Sequence, residues 1–173
     1  MEDRATVFDL NTEGTIAVVE FWRARKCKFV YAGSSTKGAP DREDGIAGRD
    51  LSPYSWSKAI NTELVANYAR WYDLSHAITY FYNVYGPREL SGRYGTVIEI
   101  FFEKFKNNEP CKVNGPGTQT RNYTHVSDTV DALILVAEKG EGDDYGIAAD
   151  AAYSPLDLAK LYDLEVDLQP QRK

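Results

Sequence analysis

Two spacings of apolar residues alternate along this chain. Between residues 8 and 24 the apolar positions recur every three or four residues, which predicts an amphipathic helix. One stripe of this helix carries Ile16, Val19 and Trp22, with Val18 and Phe21 beside it. The run "KFVYAG" at 28–33 follows directly, and its β-branched and aromatic residues predict a buried strand.

The alternation continues to the end of the chain. A loop rich in Gly, Pro and Asp occupies 38–52, after which Ser52 offers an N-cap and Pro53 a first helical residue. The further predicted helices cover 53–72, about 95–107, 127–138 (capped by Ser127 and ended by Gly140) and 154–163. The further predicted strands cover 76–83, 110–113, 119–125, 145–150 and 164–169. Strands that alternate with helices predict an α/β fold with a parallel sheet.

Composition adds limits on size and chemistry. The 173 residues are 43% hydrophobic and 27% charged, which is ordinary for a globular domain with a core. The net charge of -6 gives no basic surface, so we expect no nucleic-acid partner. No apolar run approaches the roughly 18 residues of a membrane span, so we expect a soluble, cytoplasmic protein. The 2 Cys and 2 His have no ligand spacing, so no metal site is expected.

The segment "LSPYSWSKAIN" at 51–61 carries the first candidate chemistry. It brings Tyr54 and Lys58 to one face of the helix that begins at Pro53. An ammonium beside a phenol stabilises the phenolate, which would make Tyr54 a usable general base. For the pair taken alone, the commoner reading is an exposed tyrosine with a solvated lysine.

The strand before this helix favours the chemical reading. Ser34 and Thr36 follow "FVYAG" at the carboxyl end of a buried strand, and ligands bind at that edge in open α/β sheets. Their hydroxyls could hydrogen-bond a substrate hydroxyl, or they could simply begin the loop. Strand, hydroxyls, loop and helix in this order are more specific than any one of them.

Five ordered segments together resemble a known family. They are "NTEGT" at 11–15, "FVYAGSST" at 29–36, "SPYSWSK" at 52–58, "YFYNVYGPRE" at 80–89 and "GPGTQTRNYTHVSD" at 115–128. In this order they resemble the extended short-chain dehydrogenase/reductases, the NAD-dependent sugar-nucleotide epimerase/dehydratase family. The resemblance runs from about residue 7 to 165. It implies a Rossmann-like parallel sheet over 1–90 and a small, mostly substrate-binding α/β part over 91–173.

The resemblance also implies site residues and ligands. Ser34, Tyr54 and Lys58 would be the catalytic set, with Lys58 and Tyr54 also contacting NAD. Asn11 would lie beside the cofactor and support the catalytic helix. Thr36, Asn83 and Arg121 would hold a UDP-sugar, Arg121 through its diphosphate. A guanidinium is the preferred bidentate partner of phosphate, which agrees with that role, although a surface salt bridge is the alternative for Arg121.

The resemblance points to C4 epimerisation of a UDP-hexose through a 4-keto intermediate. Dehydratases and decarboxylases of the family carry a carboxylate two residues after the catalytic Ser or Thr. Here Ser34-Ser35-Thr36 has no acid, which resembles the 4-epimerases. A nucleotide-sugar dehydratase or decarboxylase relative stays an alternative.

One family feature does not occur in this sequence. The sequence contains no G-x-G-x-x-G or G-x-x-G-x-x-G motif. In the family such a turn receives the dinucleotide pyrophosphate at a helix N-terminus. We therefore expect an incomplete doubly wound sheet and weak or absent NAD binding by these residues alone. The expected partners are a second copy of the chain, packed through the helices at 12–24 and 53–72, or a complementing cofactor-binding half. An inactive nucleotide-sugar-binding or dimerisation module is the alternative function.

Overall fold

The computed structural model describes residues 4–35, 48–50, 52–92 and 95–170. Its helices are α1 (Arg4–Phe8), α2 (Gly14–Arg25), α3 (Pro53–Tyr72), α4 (Val97–Lys106), α5 (Val126–Lys139) and α6 (Pro155–Leu161). A π-helical turn covers Asp9–Glu13, and a 3-10 turn covers Gly48–Asp50. The strands are β1 (Phe29–Ala32), β2 (His76–Phe81), β3 (Val84–Tyr85), β4 (Cys111–Asn114), β5 (Arg121–Asn122), β6 (Thr124–His125), β7 (Gly142–Ile147), β8 (Ala152–Tyr153) and β9 (Val166–Gln169). Thr36 and most of the predicted loop at 38–52 lie outside the described residues.

The largest sheet is parallel and has the strand order β1-β2-β7. Phe29 pairs with His76 and Ala32 with Thr79, and on the other side of β2 Phe81 pairs with Ile147. The alternation of strands with helices predicted this α/β class, and the parallel pairing confirms it. Parallel strands need crossover connections, and α3 supplies the one between β1 and β2.

The chain divides into two compact units. The first contains Met1–Phe81 and Asp131–Ile147, and the second contains Tyr82–Val130 and Ala148–Lys173. The first unit therefore takes β7 from the second half of the chain, and α5 passes from one unit to the other. The functional division of the sequence at residue 90 stays a prediction.

The second unit has its own small core. Its buried members come from α4, β4, α6 and the segment between β5 and β6, and they are Phe101, Cys111, Val113, Tyr123, Leu158 and Ala159. Here β3 pairs with β6, β4 with β9, and β5 with β8, the last pair antiparallel. No helix in the described part of the chain is long and apolar enough to cross a bilayer.

Two predicted helix starts need correction. The helix expected over 8–24 is interrupted, since the π turn at Asp9–Glu13 separates α1 from α2. Ser127 does not cap α5, because β6 runs directly into the helix and Val126 is already helical. The Ser127 hydroxyl instead pairs with the imidazole Nδ1 of His125 at 2.7 Å and with Asp128 at 3.1 Å.

The π turn provides the contact that joins α2 to α3. The backbone carbonyl of Asn11 accepts a hydrogen bond from the Thr15 hydroxyl at 2.5 Å and another from the Asn61 amide nitrogen at 2.6 Å. The Asn11 side chain donates in turn to the Ser57 hydroxyl at 3.3 Å. Asn61 is 1% exposed, so its side chain makes its bond to Asn11 from a buried position. A π turn at such a point is typical of functional sites.

Asn61→Asp tests how strongly this contact holds the helices together. The new carboxylate would be buried and would face the carbonyl of Asn11, so we expect a loss of at least ~2 kcal/mol in unfolding free energy near neutral pH. Burial would raise the pKa of that carboxyl above its unfolded value, so the folded state would bind the proton more tightly. The loss should therefore shrink as pH falls and the protonated acid donates to Asn11.

Asn67→Asp is the matched control for this measurement. Asn67 lies on the same helix, and its side-chain oxygen accepts a hydrogen bond from Arg70 at the surface. We expect a change below ~0.5 kcal/mol, with little dependence on pH. Urea denaturation at several pH values measures both variants. Equal losses for the two would contradict the role given to the Asn11 contact.

Candidate active site

Tyr54 and Lys58 are placed by the start of α3. Ser52 caps this helix by accepting from the backbone N–H of Ser55 at 3.0 Å, and Pro53 is its first residue, both as predicted. Tyr54 therefore lies in the first turn and Lys58 in the next, on the same face. Tyr54 as a whole residue is 41% exposed.

Lys58 reaches the carboxyl end of β1. Its ammonium donates to the carbonyl oxygen of Ala32 at 2.6 Å, only two residues before Ser34. Burial lowers the pKa of this lysine. A partly desolvated ammonium interacts more strongly with a nearby anion than one in water, so Lys58 is suited to stabilise negative charge at this edge.

Gly33 explains how β1 ends in the position that presents Ser34. Its backbone N–H donates to the carbonyl of Thr79 at 2.7 Å. A Cβ atom added at this position would lie 2.7 Å from the Tyr80 ring, so no larger residue fits without displacing that ring. The half-buried Ser34 follows immediately after this close contact.

Asn11 is linked to α3 through Ser57. Its side chain donates to the Ser57 hydroxyl, which donates to the backbone carbonyl of Tyr54 at 2.9 Å. These two hydrogen bonds are the contacts through which Asn11 would support the helix, as predicted. Its direct contact with a cofactor stays a prediction.

In the second unit Asn83 is hydrogen-bonded to the strand β5, which carries Arg121. Asn83 has a left-handed backbone with φ 41, a conformation that asparagine tolerates. Its amide nitrogen donates to the carbonyl of Asn122 at 2.9 Å, and its own carbonyl accepts from the N–H of Thr124. Asn83 thus lies beside the strand that carries Arg121.

Arg121 lies at the surface on the same face as two tyrosines. It pairs with Tyr153 across the β5–β8 ladder, and directly opposed residues share a face. Tyr153 and Tyr123 both line a cavity of about 320 Å³ within this unit. Tyr85, Ile98, Leu158, Leu161 and Tyr162 complete its lining. The Tyr123 hydroxyl is buried and has no hydrogen-bond partner among the described residues.

The structure thus brings together two sets of predicted residues, each within one unit. The first set contains Asn11, Tyr54, Lys58 and the strand end before Ser34. The second set contains Asn83 and the strand β5, which carries Arg121. Thr36 lies outside the described residues. Among the described residues no group of three or more His, Cys, Asp or Glu side chains is arranged to hold a metal ion.

Sequence reasoning missed the polar residues that support the first set. These are Thr15, Tyr31, Ser57 and Asn61. One signal was available for Asn61, since it follows Lys58 by three residues and therefore lies on the same helix face. An asparagine inside a helix also has low intrinsic propensity, which indicates a specific contact.

The comparisons with known proteins agree with the family resemblance and the α/β fold. A family model described as "NAD dependent epimerase/dehydratase family" matches residues 1–148. The dTDP-D-glucose 4,6-dehydratase of Bos taurus is 33% identical over 157 residues, which are 87% of this chain and 43% of that protein. The chain therefore spans less than half of the length of this relative.

Two solved structures share the fold at similar identity. The UDP-glucose 4-epimerase of Thermotoga maritima, solved with UDP-glucose, has a TM-score of 0.85 at 26% identity, over 99% of this chain and 60% of that one. The UDP-glucose 4-epimerase of Thermus thermophilus in complex with NAD has a TM-score of 0.76 at 26% identity, over 95% and 58%. This chain belongs to the NAD-dependent epimerase/dehydratase family.

Proposed function

We propose that this chain carries the catalytic and sugar-nucleotide-binding residues of a UDP-hexose 4-epimerase. The observation that carries the proposal is the 2.6 Å hydrogen bond from Lys58 to the Ala32 carbonyl. It places an ammonium, with Tyr54 one turn earlier on the helix, at the carboxyl edge of a parallel sheet. Ligands of open α/β sheets bind at this edge.

The residues present fit one end of NAD. An ammonium and a phenol at the sheet edge suit the hydroxyls of the nicotinamide ribose, so Lys58 and Tyr54 would hold that ribose, with Asn11 supporting the helix. For the pyrophosphate, the sequence contains no glycine-rich turn. When bound, NAD supplies the acceptor and donor of the hydride at C4 of the sugar.

The chemistry assigned to the protein itself is a proton transfer. Tyr54 removes the proton of the sugar 4-hydroxyl, assisted by a hydrogen bond from Ser34, and returns it after the sugar has presented its other face. The Lys58 ammonium supplies a positive charge on the same helix face as Tyr54. Thr36 would contact the same sugar.

The sugar nucleotide would be held by the second unit. The Arg121 guanidinium binds the diphosphate, and Asn83 offers amide donor and acceptor atoms. The tyrosine-lined cavity on the face of Arg121 supports an aromatic base beside that diphosphate. The Thermotoga relative solved with UDP-glucose supports this substrate class.

The choice of epimerisation rests on Ser34-Ser35-Thr36, which contains no carboxylate for an additional proton transfer. A 4,6-dehydratase is the second candidate, because a relative at 33% identity has that activity in its name. The two reactions leave different products. Epimerisation yields a second hexose, whereas dehydration leaves a stable ketone.

The reaction is tested by joining the chain to the NAD-binding part of the Thermotoga epimerase that it does not match. The substrate is UDP-glucose with deuterium at C4, and proton NMR follows the product. We expect UDP-galactose that keeps the deuterium at C4, because the hydride is removed and returned at one carbon. Tyr54→Phe should slow conversion by at least ~100-fold, the usual contribution of a general base.

Tyr72→Phe, at the far end of α3, is the matched control and should retain activity. A stable 4-keto product would favour the dehydratase. Conversion that survives in Tyr54→Phe would sink the catalytic assignment. A folded hybrid that binds both ligands without turnover would instead favour a binding or dimerisation module.

We also propose that two copies associate through α2 and α3. On α2, Val18 is 48% exposed and Phe21 is 59% exposed, while Ile60 and Leu64 on α3 are half-buried. These two helices carry more apolar side chains than they need to pack against one face of the sheet. The family resemblance places its dimer contact on the same helices. A complementing cofactor-binding half is the other expected partner, and a cytoplasmic location stays a prediction.

Sedimentation tests self-association. At micromolar concentration we expect a dimer, and Phe21→Asp should shift it to monomer because a carboxylate at the contact would be desolvated. Leu168→Asp is the control, since Leu168 is also exposed but lies on β9. A wild-type chain that sediments as a monomer would contradict the proposal.

A further inference from the structure

The Lys58 ammonium has a second contact that the proposed chemistry does not use. It lies over the ring of Tyr31, 4.6 Å from the ring centroid. Tyr31 belongs to β1, one residue before the carbonyl that accepts the hydrogen bond from Lys58. A cation at this distance from an aromatic face is attracted by the negative face of the ring.

The Tyr31 ring is itself held in place. The side chain is 8% exposed, and burial raises the pKa of its hydroxyl. The hydroxyl lies near the side chains of Asn61 and Thr15, although the geometry with the described residues falls short of a hydrogen bond. Asn61 and Thr15 are the two donors to the Asn11 carbonyl. Tyr31 therefore lies between that polar contact and Lys58.

We propose that Tyr31 is a positioning residue for Lys58: its ring face holds the ammonium at the carboxyl end of β1, beside the carbonyl of Ala32. A lysine side chain has several rotatable bonds, and fixing it costs conformational entropy. The ring face and the carbonyl together define one location for the ammonium before any ligand arrives. The alternative is that Tyr31 only fills the core and that Lys58 rests on it by chance.

The catalytic meaning of this contact depends on the proposed function, but the contact itself does not. A ring current shifts protons above an aromatic face upfield, so the ε-protons of Lys58 report the contact directly. We expect these protons upfield of those of other lysines in isotope-labelled protein. Tyr31→Phe keeps the ring and should keep the shift. Tyr31→Leu removes the ring and should return the shift to the ordinary lysine position.

Lys28 is the internal control. Its ammonium contacts Glu141 and the Gly140 carbonyl, so its ε-protons should not respond to either variant. A Lys58 shift that survives in folded Tyr31→Leu, or that is absent in the wild type, would overturn the proposal. The wild-type spectrum decides even where Tyr31→Leu does not fold.

The same variants separate this proposal from the proposed function. In the hybrid enzyme, Tyr31→Leu should lower turnover, whereas Tyr31→Phe should keep the turnover of the unsubstituted hybrid. A ring-current shift at Lys58 together with turnover that does not depend on Lys58 would refute the proposed function and leave the positioning contact standing. An ordinary Lys58 shift together with turnover that does require Lys58 would refute the positioning contact and leave the proposed function standing.

Discussion

The backbone carbonyl oxygen of Asn11 links the two helices on which the candidate site depends. It receives one donor from α2, Thr15, and one from α3, Asn61. The Asn61 side chain is buried, and losing its partner would leave a buried polar group unpaired. The contact therefore fixes α3 relative to α2. The same contact also fixes how α3 is rotated about its axis, and with it the face that carries Tyr54 and Lys58.

The edge of the sheet supplies the second constraint. Gly33 allows β1 to approach Tyr80 more closely than any larger residue would, and the chain emerges there at Ser34. The carbonyl of Ala32 then receives the Lys58 ammonium. Backbone atoms at this edge thus fix the Lys58 ammonium and the strand end before Ser34.

The sequence predicted the start of α3 and a parallel α/β sheet, because capping, periodicity and strand composition are local signals. It did not predict the π turn or the contact between Asn11 and Asn61. That contact joins residues 50 positions apart, and no local pattern encodes such a pairing. Ser127 resembled a cap by type, yet β6 leaves no room for a cap before Val126. The roles of Asn83 and Arg121 came from family resemblance, and their contacts with a ligand stay predictions.

We propose that this chain binds a sugar nucleotide, and its sequence contains no glycine-rich turn to receive a dinucleotide pyrophosphate. Calorimetric titration of the chain with UDP-glucose and with NAD tests it most directly. We predict measurable binding of UDP-glucose, weakened roughly 10- to 100-fold by Arg121→Met through loss of charged hydrogen bonds, and unaffected by Arg70→Met on α3. We predict weak or no binding of NAD. Tight binding of NAD by the chain alone, or UDP-glucose binding that ignores Arg121, would contradict the account.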